Sequence, residues 1–372
     1  MTRNISRRQV LTESAVALAG LTGAAHAGSA ARTRRLLYVA VPGIRNYLEF
    51  GGHGVLVFDL ENGHKFVKRI PCGGLDGDKP SNVKGVCANA ATKKLYVSTL
   101  KTLQCLDLLT EKLLWEKPYE GGCDRMSIAP DGKFIYLPSL EKDHWHVIDD
   151  AGEIIARLVP KSGAHNTVVG LDGKWAYLAG LRSPVLTIAD TRTHTATRAC
   201  GPFSHSIRPF TVNGKQTRAI VCVNELLGFE VGDLTSGKML HRVEVQGFTR
   251  GPIKRHGCPS HGVGMTPDER EVWVCDAANE RMHVFDNTVS PPRQIASLKV
   301  REQPGWITFS LDGRWAYPST GEVIDVAIKQ IVLGLTDEHG AQVHSEKMVE
   351  IHFRGNDPVR VGDQFGLGRV TK

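Results

Sequence analysis

One turn recurs along this chain, and no other feature restricts the fold so tightly. An apolar run ends in Asp-Gly, and a second run with an aromatic near its start follows at once. The clearest copies are Ile128-Ala-Pro-Asp-Gly-Lys-Phe-Ile-Tyr136, Val169-Gly-Leu-Asp-Gly-Lys-Trp-Ala-Tyr177 and Phe309-Ser-Leu-Asp-Gly-Arg-Trp-Ala-Tyr317. Looser copies are Met265-Thr-Pro-Asp-Glu-Arg-Glu-Val-Trp273, the stretch from Asn89 to Tyr96, and Thr211-Val-Asn-Gly-Lys215. Asp-Gly and Asn-Gly tolerate the positive φ of tight hairpins, so each copy reads as two antiparallel strands. A third strand closing on Asp follows each time. The seven closing residues are Asp59, Asp107, Asp149, Asp190, Asp233, Asp286 and Asp325, and they read as turn caps. A polar turn then leads into a fourth strand.

Four short antiparallel strands, repeated seven times, predict an all-β fold: a seven-bladed β-propeller. Each sheet is apolar on both faces and buries itself only by stacking radially against its neighbours. A β-sandwich is the competing arrangement, but nothing in a sandwich calls for one turn sequence six times over. The first blade begins incomplete. Leu36–Val39 matches a second strand with no apolar strand before it in the mature chain, while Met348–Phe353 and the stretch near Val359–Val361 are surplus. One of these C-terminal segments is expected to complete blade one and remove an exposed sheet edge.

The Tyr-Val or Tyr-Leu strand after a Pro-Asp-Gly-Lys turn resembles the YVTN family of propellers, YncE-like proteins included, over nearly the whole mature chain. That resemblance implies the fold more than an activity. The wider group holds binding proteins, lactonase-like enzymes and the haem-d-binding domain of nitrite reductases, and some polysaccharide lyases share the architecture. Function has to be argued from a site.

Ahead of the repeats, Ser6-Arg7-Arg8-Gln9-Val10-Leu11 precedes an apolar stretch from Ala15 to Ala25, and Ala25-His26-Ala27 supplies a small-residue cleavage site before Gly28. This order predicts a twin-arginine signal over residues 1–27 and one propeller domain over 28–372, periplasmic or secreted. The apolar stretch is well short of the roughly 20 residues that span a bilayer, so no membrane span is expected in the mature form. The net charge of +7 is not gathered into a Lys/Arg block, which argues against nucleic acid as a partner. Eight cysteines contain no C-x-x-C pair, so a zinc ribbon or redox motif has no support. Cys87, Cys105, Cys222 and Cys275 lie in strand-like runs and read as buried hydrophobes. Cys72, Cys123, Cys200 and Cys258 lie in loops, where pairing is open.

A propeller chain crosses from the outer strand of one blade to the inner strand of the next. The residues just before each inner strand therefore ring one mouth of the axial channel, and the Asp-Gly turns lie at the other end. Around this ring the sequence places Lys84, Arg125, His165 with Asn166, His205 with Arg208, His256 and His261, and Trp306. His165, His205 and His261 occupy equivalent positions in three successive blades. Three neutral imidazoles suit a divalent metal such as Zn, Mn or Cu, in kind like the His-based metal site of oligogalacturonate lyases. Alternatively, histidine moves a proton near neutral pH while Lys84, Arg125 and Arg208 hold an anion.

The expected catalytic set is His165, His205, His261 and His256, with Lys84, Arg125, Arg208, Asn166 and Trp306 against the ligand. The expected activity is a hydrolase or lyase, metal-assisted, acting on an anionic sugar or lactone. The alternative is a non-catalytic ligand- or partner-binding propeller, with haem-d-like cofactor binding a third reading. Asn166, Asp124 and Glu225 are the candidate acceptors for the second nitrogen of a working histidine. The Gly51-Gly52-His53-Gly54 loop reads as an ordinary loop, and the alternation of His144 and His146 around Trp145 as a strand with one polar face.

Overall fold

Gly132, Gly173 and Gly313 sit at φ of +75°, +71° and +73°, the left-handed region that glycine enters without steric cost. The aspartate before each accepts the main-chain N–H two residues on, at Lys133, Lys174 and Arg314. The seven aspartates that close third strands do the same at the next turn, at Glu61, Leu109, Ala151, Arg192, Thr235, Thr288 and Ala327. In these three blades the repeat is thus a pair of side-chain-locked turns.

The computed structural model describes residues 33–372 apart from 73–74, 77–78 and 254–256. The expected signal segment and His256 lie outside the described residues. From Thr33 to Lys372 the chain forms one unit. It consists of seven antiparallel blades, with a small pair of strands, Leu75–Asp76 and Lys79–Pro80, before blade 2. Blade 2 runs Gly85–Asn89, Lys94–Ser98, Thr102–Asp107 and Leu113–Pro118 from inside to outside. The inner strands of blades 3 to 7 are Ser127–Ile128, Ala164–Val169, Ile207–Val212, Val263–Met265 and Ile307–Phe309. Among the described residues the one helical element is a short 3-10 turn, Leu60–Asn62, and no helix is long and apolar enough to cross a membrane.

Burial follows the radial order. The inner strand Ala164–Val169 is almost wholly buried, while Thr195–Cys200, outermost in the same blade, is exposed except at Cys200. Alternate residues of a strand serve opposite gaps. Leu36, Tyr38 and Ala40 pack toward blade 2, whereas Leu37, Val39 and Val41 pack toward blade 7. Seven apolar clusters result, one in each gap between neighbouring blades. The aromatic of the repeat is their common centre: Tyr38, Tyr96, Tyr136, Tyr177, Trp273 and Tyr317 are all buried.

Both surplus C-terminal strands join blade 1. Its spatial order is Lys65–Ile70, Gly54–Asp59, Thr33–Val41, Met348–Arg354, Asp357–Val361. Met348–Arg354 takes the innermost place of a standard blade, pairing Thr33 with Arg354 and Val39 with Met348. Asp357–Val361 adds a fifth strand on its inner side. Glu350 locks this closure: its carboxylate accepts from Arg35 Nε (3.2 Å) and from the Leu311 N–H of blade 7 (2.6 Å), and lies 2.6 Å from His352 Nε2.

The chain then runs inside the ring. Gln364 accepts from the Val86 N–H with Oε1 and donates through Nε2 to the Met126 carbonyl. Its own carbonyl accepts from Trp306 Nε1. Gly366 accepts from Thr211 Oγ1 and the Met265 N–H, and Gly368 donates to Val212. One short tail therefore touches the inner strands, or the residues just before them, of blades 2, 3, 5, 6 and 7, and it fills the channel at the end of the Asp-Gly turns.

Candidate functional site

Glycine lets the inner strands approach at the mouth. A Cβ on Gly85 would stand 2.8 Å from Met126 Sδ and 3.2 Å from Arg125 Cα. In the space so left, Arg125 is 4 % exposed and reaches across the axis. Its guanidinium carbon lies 3.3 Å from the centre of the Trp306 ring in blade 7, and Nη2 donates to Glu346 Oε2 at 2.8 Å. Nη1 is buried with no hydrogen-bond partner. Lys347 also points inward, donating to the same Glu346 oxygen (2.8 Å) and to the Gly43 carbonyl (2.6 Å).

Asp124 is the second centre. It is 1 % exposed, and its two oxygens divide the work. Oδ2 lies 2.7 Å from His165 Nδ1. Oδ1 accepts the Arg125 N–H and stands 3.4 Å from Lys84 Nζ. Burial pushes this carboxyl up, but the His165 imidazole, the Lys84 ammonium and the Arg125 guanidinium outweigh it and hold it at about 2. A bridge between Arg125 and Asn166 joins blades 3 and 4 beside it. Asn166 is 1 % exposed, yet neither end of its amide has a partner, a costly arrangement for a buried polar group.

Lys84 connects this centre to the surface. It lines an open cavity of about 780 Å³ together with Arg45, Asn82, Lys142, Arg182 and one carboxylate, Glu141. A second cavity, about 550 Å³, lies at the opposite end between the C-terminal tail and blades 2 to 4, against Val86, Ile128, Leu171, Phe365 and Leu367. The concentration of charge is at the first.

Several expected residues meet here: Lys84, Arg125, His165, Asn166 and Trp306. The other histidines do not join them. His205 is exposed. His261 Nδ1 faces the Gly305 carbonyl at 3.1 Å. Arg208 turns to Asn224 (2.6 Å), and Glu225 is paired with Arg250. Among the described residues no three His, Cys, Asp or Glu side chains are grouped to hold a metal, so the shared centre of His165, His205 and His261 does not form. His165 and His261 are each held elsewhere, and in two of the three blades a β-bulge lies beside the histidine. The register shifts between Ala164 and Asn166, and again between Ile207 and Phe210, and a bulge re-aims the side chains beside it. All eight cysteines are free thiols, seven of them buried.

Glu346 and Lys347 were not anticipated, although a signal for them exists. They immediately precede Met348, so the rule that placed Arg125 and Trp306 at the mouth places them there too, once Met348–Arg354 is known to be an inner strand.

Lys347 makes the centre sensitive to pH. Burial lowers it from 10.5 to about 7, Glu346 partly offsets that, and Arg125 and Lys84 push it further down. Between those two values the unfolded chain binds the proton and the folded chain releases it, so stability from this group rises with pH. The urea midpoint is expected to climb from pH 7 to pH 9.5 more steeply in the natural protein than in Lys347→Met. Parallel slopes would show that Lys347 does not titrate in this window.

Comparison with known proteins adds the architecture. No family model matches the chain, and no curated protein matches it. A Myceliophteria thermophila Cps50 (Swd1) β-propeller domain superposes with a TM-score of 0.55 at 12% identity, covering 78% of this chain and 93% of that one. Kuenenia stuttgartiensis hydrazine synthase gives a TM-score of 0.46 at 13% identity, over 72% and 99%. The first likeness shows the propeller fold alone.

Proposed function

We propose that this protein binds a small anionic ligand, of the uronate-sugar or lactone class, at the basic mouth of its channel. In this reading His165 exchanges a proton with that ligand. The observation that carries it is the Asp124–His165 pair at 2.7 Å beside Lys84, which lines the 780 Å³ cavity. A buried carboxylate on Nδ1 fixes the ring and leaves Nε2 for the ligand, the arrangement of an acid-base histidine. The cationic rim supplies attraction for a carboxylate, and the unsatisfied amide of Asn166 is a place where a ligand's polar atoms replace missing partners. Arg125 is already committed to Glu346 and Trp306, so its role is to hold the floor of the site.

The reaction class that fits is hydrolysis or β-elimination by a hydrolase or lyase, with His165 the catalytic residue and Asp124 its positioning residue. The twin-arginine pattern at Ser6–Leu11 and the YVTN-like repeat support placing the protein among exported YncE-like propellers, in the periplasm or outside the cell.

The test is a melt screen against galacturonate, glucuronate and glucarolactone, which keeps a free carboxylate. A ligand at 100 times its Kd stabilises the folded state by about 2.7 kcal/mol. The shift is expected to vanish in Lys84→Ala and to fall in His165→Ala. Turnover, once found, is expected to drop about 10²–10⁴-fold in His165→Ala. A shift without turnover would leave ligand binding alone. A shift that survives both substitutions would move the site elsewhere.

A further inference from the structure

His144 and His146 lie away from the mouth, on blade 3. His146 sits in strand Trp145–Ile148, and His144 immediately precedes it. Residues two apart on a strand share a face, so both rings project to one side. Trp145, between them, turns into the gap toward blade 4, where its Nε1 donates to Thr167 at 2.8 Å. The two Nε2 atoms stand 3.1 Å apart, with ring centres at 4.6 Å and planes at 82°. The Glu120 carbonyl oxygen lies 3.0 Å from His146 Nε2.

Three electron-pair donors thus meet at one point with too few protons to satisfy them. Two neutral rings have at most one hydrogen to share across a 3.1 Å contact, and the Glu120 carbonyl competes for the same one. His146 Nδ1, buried, has no partner at all. A metal ion resolves this crowding, because it takes lone pairs from all three. With metal–nitrogen bonds of about 2.0–2.1 Å, nitrogens at this separation subtend roughly 100° at the metal, within the range of zinc and copper sites. The Glu120 carboxylate is held by Arg157 at 2.7 Å, which neutralises the nearest cation. His144 is 9 % exposed and His146 0 %, so His144 is the ring nearer solvent.

We propose that His144 Nε2, His146 Nε2 and the Glu120 carbonyl form a binding site for one divalent transition-metal ion, copper or zinc, with water in the remaining positions. A ligating imidazole ordinarily donates its other N–H to an acceptor, and loss of that acceptor weakens binding about 10–100-fold. His146 Nδ1 lacks one, so this clip binds more weakly than one with both rings anchored. The site stands independently of the mouth.

The experiment uses the full chain without an affinity tag, stripped with chelator and titrated with Cu²⁺, then with Zn²⁺ as competitor. One equivalent of Cu²⁺ is expected, with nitrogen splitting from two imidazoles in its paramagnetic resonance spectrum and displacement by Zn²⁺. His144→Gln is expected to lower affinity at least tenfold with an unchanged melt, while His205→Gln leaves it as it was. A natural protein whose bound copper shows no pair of imidazole nitrogens overturns the site without recourse to any variant. So does a folded His144→Gln that binds copper as tightly as before.

Discussion

A chain ended at Lys347 is expected to have no cooperative folded state. Truncation there removes Met348–Arg354, and with it the whole pairing from Thr33 to Val39. Val349, Ile351 and Phe353 leave the gap between blades 1 and 2, at about 1.5–3 kcal/mol for each buried side chain. Glu350 goes as well, so Arg35 and the Leu311 N–H lose their shared partner. Against a net stability of about 5–15 kcal/mol, these losses are comparable to all that a domain holds in reserve. The bare edge of Thr33–Val41 then invites pairing between molecules. Far-UV circular dichroism on heating and gel filtration provide the check, with a broad non-cooperative signal and aggregated material expected. Ending the chain at Val361 instead is expected to leave a folded ring with a lower melt, because only the channel-filling tail is lost. A monomeric, cooperatively melting protein from the shorter truncation would show that the ring closes without its last strands.

Glu346→Gln is the second large effect. Glu346 is the carboxylate that Arg125 and Lys347 both contact, and all three are nearly buried. Removing one partner of a buried ion pair costs about 3–5 kcal/mol, since the remaining charge keeps its desolvation penalty. Without that carboxylate Lys347, already held at about 7, is lowered further and gives up its proton, so Arg125 is the charge left without its partner. Urea denaturation should register that loss. Adding Lys347→Met to Glu346→Gln is expected to recover part of it, because the cost of burying Lys347 without its carboxylate disappears. A loss below about 1 kcal/mol in the single variant would mean that the cations find other partners.

These residues also mark the boundary of what sequence reasoning reaches. The Asp-Gly turns were legible because their chemistry is local: an aspartate bonds two residues on, and a glycine takes positive φ. The seven closing aspartates were legible for the same reason. Blade closure was half legible, since hydrophobic surplus at one terminus met a deficit at the other, but nothing local distinguished Met348–Phe353 from Val359–Val361, and both turned out to be used. At the mouth, spacing gave the positions of Lys84, Arg125, His165, Asn166 and Trp306 and failed to give directions. His165, beside a bulge, meets Asp124 of the preceding blade, and His261 meets the Gly305 carbonyl of the following one. Those are contacts between blades some forty or more residues apart, and no repeat pattern encodes them.

The late arrival of the closing strand has a consequence for biosynthesis. Arg35 and its partner Glu350 are 315 residues apart. At about 5–20 residues per second, a ribosome adds the second roughly 15–60 s after the first. Six blades emerge and stack while Thr33–Val41 still lacks its neighbour. Through that interval the nascent protein carries an unsatisfied apolar edge, which gives a chaperone a binding surface that vanishes only when synthesis is all but finished.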